Sequence, residues 1–159
     1  MSVYLAALLI GVVTGLRAFM GLAAVSWGAR LGWLHLEDTK LAFLGYAVTP
    51  YIVSALALFE LVTDQLPKTP SRLVPQQFGA RLVLGAFAGA AVGASAHQLI
   101  AGLVLGIVGA VLGTYGGAKL RAAMAGAFGK DLPAALIEDV IAIGLAFFVV
   151  SRGTMWATM

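Results

Sequence analysis

The chain has 159 residues, 61% of them hydrophobic and only 11% charged, with a mean hydropathy of +0.98. Ordinary globular domains carry about 25% charged residues, so the composition argues against a soluble globule and for a membrane protein. The net charge of +3 comes from Lys and Arg at the ends of apolar runs, which suits membrane orientation. No basic stripe interleaved with aromatics occurs, so nucleic acid is not an expected partner. The absence of cysteine removes disulfides, thiolate metal sites and thiol catalysis.

The first apolar run, from residue 3 to 16 and towards 19, follows Met1-Ser2-Val3-Tyr4. This start offers no positive n-region and no good small-x-small cleavage context, so the run is expected to stay as a span. Gly11 and Gly15 stand four apart on it and allow close approach of a neighbouring backbone. After Arg17, residues 18–33 are apolar but broken by Ser26, Gly28, Arg30 and Gly32. A span needs about 20 mostly apolar residues, so a re-entrant or interfacial helix is the preferred reading, with a full crossing as the alternative. Trp27, Trp33 and His35 suit an aromatic belt, and Glu37-Asp38-Thr39-Lys40 is a polar lead into the second span.

That second span is expected over 41 to about 66, with Pro50 near its middle as a kink and Thr49, Tyr51 and Ser54 as polar groups beside it. Glu60 and Asp64 lie four apart, on one helical face. A Pro-punctuated loop, Asp64 to Arg72, continues through Pro75, Gln76 and Gln77. The third span is expected from about 82 towards 100, with Gly85, Gly89 and Gly93 at every fourth position. The fourth, about 99–115, carries Gly102 and Gly106, then Gly109, Gly113 and Gly117. These glycines read as packing faces, and Ser95, His97 and Gln98 as the tight turn between the two spans. Beyond Gly116-Gly117 come Lys119, Arg121, a small-residue segment to Gly129, and Lys130-Asp131-Leu132-Pro133. Pro133 is placed to open a fifth span, which ends near 150, and Trp156 would sit near an interface.

One pattern occurs twice. Leu16-Arg17-Ala18-Phe19-Met20, followed by Leu36-Glu37-Asp38, returns as Leu120-Arg121-Ala122-Ala123-Met124, followed by Ile137-Glu138-Asp139. The chain therefore reads as a single transmembrane domain, 1–159, built from one repeat at about 3–66, a second at about 99–152, and a linking loop and third span at about 67–98. Five spans would place the repeats in opposite orientations, the inverted-topology plan of secondary transporters. That inference depends on the re-entrant reading of 18–33, since a full crossing there without a matching one in the second copy breaks the symmetry. Lys68, Arg72, Arg81, Lys119, Arg121 and Lys130 would share one side with the N-terminus, and Arg17, Arg30, Lys40 and Arg152 the other. The first side is favoured as cytoplasmic. The small margin leaves room for dual insertion and an antiparallel homodimer.

Leu16-Arg17-Ala18-Phe19, the segment Glu60-Leu61-Val62-Thr63-Asp64-Gln65-Leu66-Pro67-Lys68-Thr69-Pro70-Ser71-Arg72, and Ile137-Glu138-Asp139 together resemble a bacterial membrane-protein family known only as a domain of unknown function, number four-one-two-six. The similarity covers nearly the whole chain. It implies an integral membrane protein of bacterial type and assigns no catalytic residue.

The charged groups carry two readings each. An Arg, Lys, Asp or Glu at mid-membrane costs about 2.5 to 3.5 kcal/mol and usually faces a bundle interior or cavity. Arg17 and Arg121 would hold an anion or pair with Glu37, Asp38, Glu138 or Asp139, or else snorkel to headgroups. Glu60 and Asp64 would couple protons or cations, or form a polar C-terminal turn paired with Lys68 or Arg72. Glu138 and Asp139 would titrate with them, or simply favour a helix N-terminus. The loop from Lys68 to Arg72 suits phosphate or anionic lipid headgroups. His35 and His97 lie on separate halves of the chain, and no metal site is expected from them.

The expected fold is all-α: a polytopic membrane protein with about five transmembrane helices and two re-entrant or interfacial segments. The expected function is that of a small transporter or channel-like carrier in the inner (plasma) membrane, for an anionic or proton-coupled solute. Arg17, Arg121, Lys68 and Arg72 would bind the substrate, and Glu60, Asp64, Glu138 and Asp139 would do the coupling. The alternatives are a membrane-embedded enzyme or binding protein acting on a phosphorylated lipid headgroup, with Mg²⁺ on Glu60 and Asp64, and a structural subunit. Acyl, glycosyl and nucleotide-binding motifs are absent, so enzymatic activity and a cofactor are not expected. Partners would be membrane lipids, a second copy of the chain, and a small anion or lipid headgroup.

Overall fold

Pro and Ser mark where the helices begin, and glycine sets how closely they pack. The computed structural model describes residues 1–66 and 68–156, Trp156 by its backbone alone, so the expected anchoring of the Trp156 side chain lies outside the described residues. Among them there is no strand. The helices are α1 (Val3–Leu16), α2 (Ala18–Arg30), α3 (Thr49–Thr63), α4 (Pro75–Ala94), α5 (Leu99–Phe128) and α6 (Asp131–Ser151), with a last turn at Gly153–Trp156. Segments containing α4, α5 and α6 are long and apolar enough to cross a membrane, and the chain is a membrane protein. With 14, 13 and 15 residues, α1, α2 and α3 measure about 21, 20 and 22 Å, against a hydrocarbon core of about 30 Å.

Successive helices run antiparallel. Gly21 of α2 abuts Thr14 and Ile10 of α1, so α2 doubles back along α1. Trp27 of α2 donates to Ser54 of α3 at 2.9 Å, while Ala18 meets Glu60. Gly85, Gly89 and Gly93 of α4 face Gly106 and Gly102 of α5 in descending register. The other face of α5 takes α1, with Gly109 against Leu8 and Val12, and Gly113 against Val12 and Gly15. A side chain at any of these glycines would enter the opposite backbone, so the α1–α5–α4 layer depends on backbone contact. Val3 and Ser151 thus lie at one end of the bundle, here the termini end, and the 64–74 loop lies at the other, the loop end.

Four expectations are corrected. Residues 18–30 form a helix that returns to the termini end, so one more helix separates the two Arg-bearing segments than the five-span count allows. Helices α1 and α5 therefore run parallel, Gly11 beside Gly106 and Gly15 beside Ala110, and the two units are not inverted. The N-terminus lies opposite the Lys68 loop rather than beside it. The third correction concerns helix limits. Pro50 opens α3 instead of kinking a longer span, because a first-turn residue has no intrahelical acceptor for the N–H that proline lacks. Residues 31–48 are a loop that buries Leu34, Leu36, Leu41 and Leu44. Pro75 likewise starts α4 seven residues before the expected 82. Fourth, α5 runs unbroken through Gly116-Gly117 and Arg121, so the small-residue segment is its last turns. It stops at Gly129, whose φ of 68° is the left-handed stop that glycine adopts without strain. The tight turn of Ser95 to Gln98 is as expected, with His97 at φ 58°.

Candidate functional site

At Arg17 the backbone swings out of the helix, to φ −138° and ψ 112°. A break of this kind strips partners from the last carbonyls of α1 and the first amides of α2. Other helices supply them. The Gly15 carbonyl accepts from Arg81 Nη1 at 3.1 Å and from the Thr114 hydroxyl at 3.3 Å. The amides of Ala18 and Phe19 donate to the two carboxylate oxygens of Glu60, at 2.7 and 2.9 Å. A cation thus faces a helix C-terminus and an anion a helix N-terminus, each the sign favoured by the macrodipole. The two caps also meet each other, Arg81 Nη2 lying 3.4 Å from Glu60 Oε1.

Arg17 itself is fully buried. Its guanidinium contacts Asp64, donates from Nε to Asp139 Oδ1 at 2.6 Å, and lies 3.7 Å from Glu138. Glu138, also buried, accepts a bidentate pair from Arg72 at 2.5 and 2.9 Å and lies 3.6 Å from Arg121. Arg121 makes its own fork on Asp131, at 2.9 and 2.6 Å, and donates to the Asp64 carbonyl at 3.2 Å. Four arginines from four segments therefore interlock with four carboxylates, Glu60, Asp64, Glu138 and Asp139, and Asp131 adds a fifth at the rim. Isolated charges at membrane depth are expensive. Mutual pairing with satisfied hydrogen bonds is what makes their burial tolerable.

Arg81 is six residues inside α4 and Glu138 seven inside α6, which places the charged layer about 10 Å from the start of each helix. The tips of α1, α2 and α3 stop at this layer. Above them, a chamber of about 370 Å³ occupies the depth they leave unfilled. It is walled by Arg81, Arg121 and Asp131 from the long helices and by Asp64, Thr69, Ser71 and Arg72 from the end of α3 and the loop after it. Thr69 ties that loop back to the Thr63 carbonyl, and Arg72 ties it to α6.

The chain matches the family model described as a domain of unknown function, DUF4126, over residues 4–155. It belongs to that family. No curated protein and no solved structure matches the chain.

In this DUF4126 chain the structure gathers Arg17, Arg72, Arg121, Glu60, Asp64, Glu138 and Asp139 from the residues singled out in the sequence. Lys68 stands apart, exposed on the loop and outside the chamber lining, and Arg17 lies outside the lining too. Glu37 and Asp38 are exposed at the termini end. Arg17 therefore takes its partners from the end of α3 and from α6 instead of from Glu37 and Asp38. Glu60 has both oxygens engaged, so it has little left for a cation, and among the described residues no three His, Cys, Asp or Glu side chains converge as a metal-holding group. Arg81, Asp131 and Thr114 were missed. Arg81 was legible through Pro75: a helix opened by that proline carries residue 81 a turn and a half inward.

Proposed function

We propose that the protein is a small carrier of the bacterial inner membrane, whose chamber takes an anionic solute and whose buried carboxylates couple its passage to protons. The observation that supports this best is the hairpin tip at Arg17, where the end of α1 and the start of α2 meet, held by ionisable side chains beneath the chamber. Helix termini that face the substrate are a recurring device of transporters. In this protein the α2 amides hold Glu60 where an anionic solute could stand. With every carboxylate ionised the four arginines face five carboxylates, Asp131 included, and the network is closed to an anion. A proton on Glu60 or Glu138 weakens its hold on Arg81 or on Arg72, and the freed guanidinium then favours an incoming anion. Arg72, Arg81 and Arg121 are the binding groups of this reading, and Glu60, Asp64, Glu138 and Asp139 its coupling groups.

The exposed Ser71 in the chamber lining supports a second reading, in which the site holds a phosphorylated lipid headgroup without transporting it. A structural subunit would need the network but no chamber. Purified protein in proteoliposomes, loaded with a pH-sensitive dye and given an anion gradient, is expected to change luminal pH, and Glu60→Gln to move anion with less accompanying proton. No proton or anion movement across a broad panel of anions would remove the carrier reading.

A further inference from the structure

We infer that the chamber above the charged layer is a phosphate site, for the free anion or for the phosphate of a lipid headgroup. This deepens the carrier reading and rests on it for the chamber being where solute binds. The lining holds three arginines, Arg72, Arg81 and Arg121, against two carboxylates, Asp64 and Asp131. Within the lining the balance is positive by one charge, with Glu60 and Glu138 standing directly behind these arginines, and the more exposed carboxylate, Asp131, sits at the rim with 59% of its side chain accessible. A guanidinium carries five N–H donors, and those of Arg72 and Arg121 are only partly used by Glu138 and Asp131.

Arg81 supplies an independent sign. It is 2% exposed, and its Nε has no hydrogen-bond partner. A buried charged donor left unmet is costly, so a small shift of the Arg81 side chain towards an acceptor in the chamber it lines would be favoured. The geometry also selects the shape of the anion. The three arginines reach the chamber wall from the loop, from α4 and from α5, so an anion between them would be approached from more than one side. A planar carboxylate has two oxygens in one plane and suits one fork. A tetrahedral phosphate offers oxygens on every side, and arginine matches it bidentately. The Ser71 hydroxyl, whose oxygen accepts from the Leu73 amide at 3.2 Å, keeps its proton to donate. The volume of about 370 Å³ falls within the roughly 300–1,000 Å³ typical of ligand sites and exceeds what one phosphate fills, leaving room for a substituent.

The test is equilibrium binding to the full chain in nanodiscs, without a gradient, so that it reads the site independently of transport. In uncharged phosphatidylcholine discs, inorganic phosphate is titrated by ³¹P line broadening, with acetate as the comparison anion. In a second set of discs doped with phosphatidic acid, retention of that lipid by the purified protein is measured. Saturable phosphate binding, tighter than acetate, identifies the free anion as a ligand. Phosphatidic acid retained in preference to phosphatidylcholine identifies the headgroup. Either result is expected to weaken about tenfold or more in Arg121→Gln, the loss of a charge-assisted contact, and measurably in Ser71→Ala, which changes no buried group. Lys40→Gln at the termini end is expected to bind as the parent does. If neither ligand binds better than acetate or phosphatidylcholine, or if Arg121→Gln and Ser71→Ala both bind as the parent does, the inference is wrong. Proton or anion flux in that case would leave the carrier reading standing, and phosphate binding without flux would do the reverse.

Discussion

Arg17 and Glu60 show how single side chains decide this structure. Arg17 is the common partner of Asp64 and Asp139, so Arg17→Ala leaves two carboxylates facing each other in a largely buried site. Removing one partner of a buried pair typically costs about 3–5 kcal/mol, and loss of the cooperative melt in detergent is the expected outcome. Arg17→Lys is expected to recover little, because an ammonium is a point charge and cannot span carboxylates that approach a guanidinium from several sides. Recovery of the parent melting temperature by Lys would mean that charge alone matters there. Glu60 serves two amides, and Gln keeps one acceptor oxygen where Ala keeps none. The melting order should therefore be parent, Glu60→Gln, Glu60→Ala, and equal melting of the three would show that the α2 N-terminus needs no cap.

The elements obey a simpler rule, set by what glycine leaves out. Gly106 is wedged between Gly85 and Gly89 of α4 on one side and Gly11 of α1 on the other. A Cβ on Gly106 would meet the backbone of Gly85 and Gly89, so Gly106→Ala should force α4 and α5 apart, and a fall of several degrees in melting temperature is expected. Gly144 of α6 has nothing within 4 Å of where its Cβ would sit, so Gly144→Ala should be neutral or slightly stabilising, by up to about 1 kcal/mol. A comparable loss in both variants would refute the backbone-contact account of the α1–α5–α4 layer. Pro50 belongs to the same scale. Sitting in the first turn of α3, it should tolerate replacement by Ala with little change in stability, whereas a mid-helix kink would not.

For the whole molecule, the pairing of four arginines with carboxylates changes the orientation argument. Once Arg17, Arg72, Arg81 and Arg121 are counted with their carboxylates, the exposed cations are Lys68, Lys119 and Lys130 at the loop end and Arg30, Lys40 and Arg152 at the termini end. The margin that favoured one orientation disappears, and the positive-inside rule then has little to act on. Reporters fused at the N-terminus are expected to appear on both sides of the membrane, and a Lys40→Gln, Arg152→Gln double variant to draw the loop end to the cytoplasm. A single orientation in both proteins would show that something other than the exposed cations orients the chain. An even number of antiparallel helices also brings the start of α1 and the end of α6 to one side, whichever side that is.

Composition and apolar runs were enough to read an all-helical membrane protein, because hydropathy and small-residue spacing are properties of the chain taken locally. The glycine faces and the tight turn at 95–98 were legible for the same reason, and seven of the eight charged residues singled out from the sequence meet in one network, because charges inside apolar runs must be placed somewhere and few places exist. What local pattern could not supply was partnership. The two Arg and Glu-Asp segments look like self-contained copies, yet Arg17 reaches Asp139 across 122 residues, while Glu37 and Asp38 stay in solvent-facing loop. Direction was equally out of reach. Whether 18–30 crosses back or turns aside depends on Gly21 fitting against Thr14, a contact between two helices that neither helix specifies alone. Pro50 marks a start or a kink with equal justice until neighbours fix the helix limits, and Pro75 stands among polar residues that mask the helix start it signals, which is why Arg81 reads as a loop cation. The tertiary structure decided these points because pairing energy and close packing depend on which segments meet, and only the folded arrangement of all six helices determines that.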